Sequence, residues 1–400
     1  EGRRIEIAGS GDIDNRGGTI RQTGSAGLTL AAPTLVNTDG GAIGREPIGT
    51  PSSAAGSGSS SGSSAGTGGA GAGDAAEPGI SSGLSSGAGT GDTTIAPATP
   101  AAPGVITAAG TIRNDGGRIY AGGLIELQTP HVSNAGGTHE AASLSVTGPA
   151  FSNAGGVLHV ATAFAASVAN FNNTRGKLTA GRLDITTTGD LLNEDGTLTS
   201  NRDANLHVGG LANNQRGTIS ATGALDGRVG GEIQNASGLL VANQALSIQG
   251  RSLENALGTV ASTTAGTSLS IADALTNSGY ISAATDLSVR AGSLSNTGTL
   301  RAESDASIAV ANALNNDGSV TAGRHLIANA AALQGGSSGV LGAGINAEGN
   351  LGRAGDLTVT TTGALVAQGT NLAAGDAALQ GARLEPSGSP TRAPGIASTA

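Results

Sequence analysis

Five histidines are the first candidates for chemistry in this chain: His131, His139, His159, His207 and His325. A transition-metal site needs three or four imidazole, thiolate or carboxylate ligands brought together. None of the five pairs with another at ligand spacing on one element. His139 and His159 stand one repeat apart and could approach each other, but no third ligand accompanies them, and a surface or half-buried pair is the simpler reading. Sugar hydrolysis or lysis would need clustered carboxylates, often with Arg or Lys beside them. Asp184, Asp226 and Asp286 fall in or near outward strand positions but are whole repeats apart. Glu194, Asp195 and Asp317 lie in turns and read as solvated surface. The Gly-Asp pairs at Asp356 and Asp376 suggest calcium, yet the calcium-binding toxin repeat has a nine-residue period and these are twenty apart. The Gly-rich string from Gly66 has no strand before it or helix after it, so it is no phosphate loop. Nothing selects one Ser for a Ser-His-Asp triad, and the chain has no Cys, which removes disulfides, thiolate metal sites and cysteine catalysis. The sequence therefore predicts no catalytic residues, no cofactor and no metal: the chain is not expected to be an enzyme.

The elements that would position such residues are small. An asparagine recurs about every twenty residues, at Asn114, Asn134, Asn153, Asn173, Asn193, Asn214, Asn235, Asn255, Asn277, Asn296 and Asn316. An apolar residue usually stands two before it, and one or two glycines follow. A unit this short cannot enclose its own core and must stack on its neighbours. Composition agrees. Of 400 residues 69 are Gly, aromatic residues make up 1% and charged residues 12%, and there is no Trp or Met. The core must be thin and built from Leu, Ile, Val and Ala. The net charge of −9 is spread without long runs, and no basic patch invites nucleic acid. No apolar stretch is long enough to span a bilayer. The start at Glu1, without Met or signal peptide, reads as the start of an internal fragment.

Within each unit apolar residues alternate with polar or small ones in three short segments, as in Leu240-Val-Ala242, Leu246-Ser-Ile248 and Leu253-Glu-Asn255. Period two over three to five residues is a half-buried strand. Turn formers separate the segments. Three strands and three turns describe one rung of a parallel β-helix. About fifteen or sixteen rungs stacked at roughly 4.8 Å would give a rod on the order of 70–80 Å long. The Asn at one turn of every rung can pass amide hydrogen bonds along the axis, and the Gly after it would supply a positive φ. Phe151 and Phe171, each two before its Asn, should stack on each other inside the rod. Coil lengths vary between 19 and 22 residues, and the slack should fall at turns.

The register divides the chain. Residues 1–43 carry early coils at Asn15 and Asn37. Residues 44–104 form a Gly/Ser/Ala-rich, low-complexity insertion expected to be disordered, read as a loop extruded from one rung, with a linker between two domains as the alternative. Residues 105–333 carry the Asn-Gly repeats. Residues 334–385 continue the β-helix with Ala-Gly-Asp repeats after an irregular stretch over 334–350. Residues 386–400 are a loose tail.

The unit Ile112-Arg-Asn114-Asp-Gly-Gly-Arg-Ile119-Tyr-Ala121 resembles the L-x-N-x-G-G-x-I-x-A repeat of filamentous haemagglutinins, large exoproteins of Gram-negative two-partner secretion that include contact-dependent growth-inhibition effectors. The Ala-Gly-Asp-Leu-Thr-Val run ending at Val359 is similar as well. The resemblance covers nearly the whole chain outside the insertion, but neither the family's amino-terminal secretion domain nor its variable carboxy-terminal region is visible. It implies an all-β, right-handed parallel β-helix, export through an outer-membrane two-partner secretion transporter, and display as a fibre, secreted or at the bacterial cell surface. A chain without Cys suits transit across membranes unfolded, though it suits many cytosolic proteins too. The function expected is a structural shaft serving adhesion or the delivery of an effector at cell contact, with a host-cell or neighbouring-bacterium surface receptor as a partner. The alternatives are a direct receptor- or glycan-binding module, disfavoured for glycan by the scarcity of aromatic residues, and a carbohydrate-active β-helix enzyme, disfavoured by the lack of a carboxylate cluster.

Overall fold

A computed structural model describes residues 3–22, 28–44, 104–352 and 354–385. All but the ends of the expected insertion, residues 45–103, and the tail at 386–400 lie outside the described residues. The described residues form strands and no helix. The chain winds into a parallel β-solenoid of about 16 turns. Each turn contributes strands to three sheets. After the Asn turn the chain enters the first sheet, as in Thr197–Ser200, then the second, Ala204–Val208, then the third, Ala212–Asn213, which leads into the next Asn. Some strands run round the corners without a break, as Thr138–Ser152 and Val157–Asn172 do.

Strand pairing is in register from rung to rung. Leu178 faces Leu198, which faces Ile219, which faces Leu240. Period two makes this stacking inevitable once the turns align, because a one-residue slip would turn every aliphatic side chain outward. The inward columns are mostly aliphatic and buried, and together they make one continuous narrow core. Phe171 pairs with Phe151, their rings 5.2 Å apart. Phe164 reaches across the core from the second sheet to within 5.9 Å of Phe171 and 6.1 Å of Phe151, a third member the repeat pattern had not picked out. Register shifts between Val160 and Ala163, and between Ile271 and Ala274, take up variation in coil length at corners.

Strands on either side of residues 45–103 occupy neighbouring rungs. Thr29 pairs with Val105, and Ala42 with Arg118. The expected irregularity at 334–350 is shorter and displaced. Ala332–Gly335 and Val340–Ala343 are regular strands, with Gly335 in the slot below Asn316. The irregular part is 344–356, an excursion carrying an antiparallel bridge between Ile345 and Leu351 before the solenoid resumes at Leu357–Thr361. It leaves between the first and second sheets, the same corner at which Ala42–Gly44 ends and Gly104–Arg113 begins. Gly-rich composition had suggested irregularity where the apolar alternation of Val340 and Leu341 still builds a strand.

Candidate functional site

The most organised polar feature is the line of asparagines along the axis. Thirteen of them, from Asn15 to Asn316, lie at one corner and are buried. Each Nδ2 donates to the Oδ1 of the next, in twelve bonds of 2.6–2.8 Å that all point the same way. Most of these amides also donate within their own turn, as Asn193 does to Gly196 O at 3.3 Å, or to a strand carbonyl of the next rung, as to Thr218 O at 3.1 Å. The ladder stops at Asn316, whose amide donates to Val340 O at 3.1 Å, because Gly335 offers no side chain below it. Buried amides satisfied in this way hold adjacent rungs in register and leave no group free to react.

The glycines of this turn do two separate jobs, and the expectation that the following Gly supplies a positive φ is correct for only some coils. The left-handed residue is the second after Asn. It is Gly17, Gly116, Gly136 and Gly155 in four coils, but Asp39, Arg175, Asp195, Arg216, Ser237 and Leu257 in six others, these with φ of 53–55°. The residue that must be Gly is the third. A Cβ on Gly196 would lie 2.2 Å from the carbonyl oxygen of Asn173 in the rung before, and one on Gly217 would lie 2.1 Å from that of Asn193. Close approach between rungs, rather than φ, excludes every other side chain there. In the coils from Asn277 onward the turn is one residue shorter and a single Gly, such as Gly279, takes the crowded place.

The candidate residues for chemistry disperse. His139 pairs with Leu158 and points into the core, whereas His159 pairs with Glu140 on the outer surface. The two imidazoles therefore sit on opposite sides of one sheet and do not approach. His139 is fully buried in the aliphatic column of Ile119 and Leu158, with neither ring nitrogen hydrogen-bonded. Burial pushes its pKa down to about 3. The repeat already marked this slot as inward, since His139 stands where other coils place Ile or Leu. Asp184 and Asp226 share an outward column with Asn205 between them, and Asn205 donates to Asp184 at 2.6 Å. Asp286 lies in another column, at the corner before the second sheet, where its carboxylate accepts from Asp305 N. Asp356 and Asp376 are neighbours in that same column, and Asp356 accepts from Asp376 N at 2.9 Å. Asp286 and Asp356 thus cap the backbone of the following rung. No group of three or more His, Asp or Glu side chains is arranged to hold a metal ion among the described residues.

Charges on the surface pair with each other. Arg216 reaches back one rung to Glu194 at 2.6 Å and Asp195 at 2.7 Å, and the hydrogen bond from Arg216 holds Asp195 below the usual carboxylate range. Arg182 pairs with Asp184, Arg228 with Asp226 and Arg251 with Asp273. An open groove of about 930 Å³ lies at the corner between the second and third sheets, lined by Ile271, Val310, Gln249, Arg251, Arg290 and Asn329.

Fold and polar line together define a parallel β-solenoid with an axial asparagine ladder. No family model, curated protein or solved structure matches the chain.

Proposed function

We propose that this chain is a structural shaft, an internal segment of a large secreted exoprotein of Gram-negative two-partner secretion that serves adhesion or presents an effector at cell contact. The observation that supports it is the unbroken asparagine ladder, twelve bonds long and of one polarity, in a solenoid where surface arginines pair with nearby carboxylates and the buried asparagines serve rung-to-rung contact. Each finished rung offers an open strand edge and an Asn amide to the next, so folding can propagate along an emerging chain. That would draw the polypeptide outward through its outer-membrane transporter without a nucleotide-driven motor outside the cell, and would place the product in the medium or on the bacterial surface. In this reading the chain is not an enzyme and needs no cofactor. Electron microscopy of the secreted protein tests the proposal: rods should lengthen in proportion to the number of coils, and export should require the partner transporter. Compact particles, or export indifferent to the transporter, would overturn it.

A second reading, direct binding of a receptor or glycan on an exposed strand face, has the groove along Gln249, Arg290 and Asn329 in its favour. Replacing Arg290 by Glu and measuring cell attachment separates the two, since a shaft is indifferent to that change.

A further inference from the structure

His139 has no counterpart elsewhere in the core. Among the described residues it is the only buried imidazole, fully enclosed and with both nitrogens unpartnered. In the same column the rungs on either side carry Ile119 and Leu158, and those beyond carry Ile43 and Leu178. A ring with two unmade hydrogen bonds stands where every neighbour is hydrocarbon. We propose that His139 makes the rungs of Arg118–Gln128, Thr138–Ser152 and Val157–Asn172 an acid-labile section of the solenoid, which opens in mildly acidic solution while rungs further along stay closed.

The surroundings give the direction. Inward-facing neighbours are Ile119, Ile125 and Leu127 from one strand, Val132 from the next, and Leu158, Val160 and Phe164 from the rung beyond, and none of them titrates. The ionisable groups on these strands, Arg118, Glu126, His131, Glu140 and His159, alternate onto the outer side of the sheets, and Tyr120, although buried, shares the outward register of Glu140. No carboxylate therefore lies inside to receive an imidazolium. The ring can take a proton only where the rungs have parted and water reaches it. Its ordinary value of 6.5 applies in that opened form, against about 3 in the closed form. The opened form consequently binds more protons between those two values. Stability of this section is complete above about pH 6.5 and falls as pH is lowered toward 3. Coils at Leu178, Leu198 and Ile219 carry aliphatic residues in the same slot and lack this dependence.

Amide hydrogen exchange on the full chain, read by peptide at pH 7 and pH 5 and corrected for intrinsic rate, tests the proposal. Peptides within residues 118–172 should open about 25-fold more readily at pH 5 than at pH 7, the ratio set by values of 6.5 and 3, and peptides within 232–283, which hold no histidine, should not change. His139→Leu should abolish the difference and His159→Leu should keep it. A uniform response along the chain, or a pH effect that survives His139→Leu, would overturn it. Should His139→Leu misfold, deuterium exchange at histidine C2 in the unaltered chain decides: His139 should exchange far more slowly than His131 and His159 at pH 7, and equal rates would refute the closed site.

Discussion

Removing one rung of the ladder gives the most direct measure of what the asparagines do. Asn193 is fully buried, donates to Asn214 Oδ1 at 2.7 Å and Thr218 O at 3.1 Å, and accepts from Asn173 Nδ2 at 2.7 Å. Asn193→Ala deletes all of these bonds. Asn173 keeps two further acceptors, Gly176 O and Thr197 O, so its amide stays satisfied. Asn214 does not fare as well, because its Oδ1 loses its ladder donor inside the core. Two amide–amide bonds at about 1 kcal/mol each and one orphaned buried acceptor at about 1–3 kcal/mol give a loss of about 3–5 kcal/mol. Asn193→Asp should cost more at neutral pH. Its carboxylate would face Asn214 Oδ1 and the carbonyls of Gly196 and Thr218, acceptor against acceptor, in a site with no water. The folded form of that Asp has a raised pKa, so the penalty relative to wild type should shrink as pH falls through it. The outer Asn205 is the control, since it is partly exposed and makes one bond, to Asp184. Solenoids can open in sections, so exchange protection of the strands Thr197–Ser200 and Thr218–Ala221 is the better readout, together with a denaturation midpoint. A loss below about 1 kcal/mol for Asn193→Ala, or one equal to that of Asn205→Ala, would refute the view that the ladder is a principal tie between rungs.

The turn glycines should separate by role. Gly196→Ala should destabilise strongly, since its Cβ would meet the Asn173 carbonyl at 2.2 Å, whereas Leu257→Gly should raise the denaturation midpoint by the equivalent of about 0.5–1 kcal/mol by relieving a left-handed leucine. Phe171→Ala removes a fully buried ring in contact with two others and should cost about 3–5 kcal/mol by chemical denaturation. Arg216→Ala should leave the midpoint nearly unchanged, because its pairs with Glu194 and Asp195 lie in solvent. His139→Leu should stabilise already at pH 9, by about 1–3 kcal/mol, because it removes two unpartnered buried nitrogens, and the gain should grow below pH 6.5 by about 2 kcal/mol more at pH 5, when acid denaturation of the two chains is compared.

The sequence by itself determined the repeat, the class of fold and the axial line of asparagines. These are properties of periodicity: an apolar residue every second position must face inward, and an Asn returning at each coil must return to the same corner. The stacking of Phe151 on Phe171 was legible for the same reason. Tertiary structure decided what depends on contact between rungs. It assigned the crowded place to the third residue after Asn and the left-handed place to the second, because only stacking brings the preceding Asn carbonyl against Gly196. It separated His139 from His159, because neighbours in register still alternate between core and solvent when one is offset by a single position. It confined the irregular stretch to 344–356, where the chain leaves a corner, while strands built from as little as Val340 and Leu341 persisted. It also showed one imidazole sealed among aliphatic side chains, a cost that composition cannot display because it arises only when the rungs close.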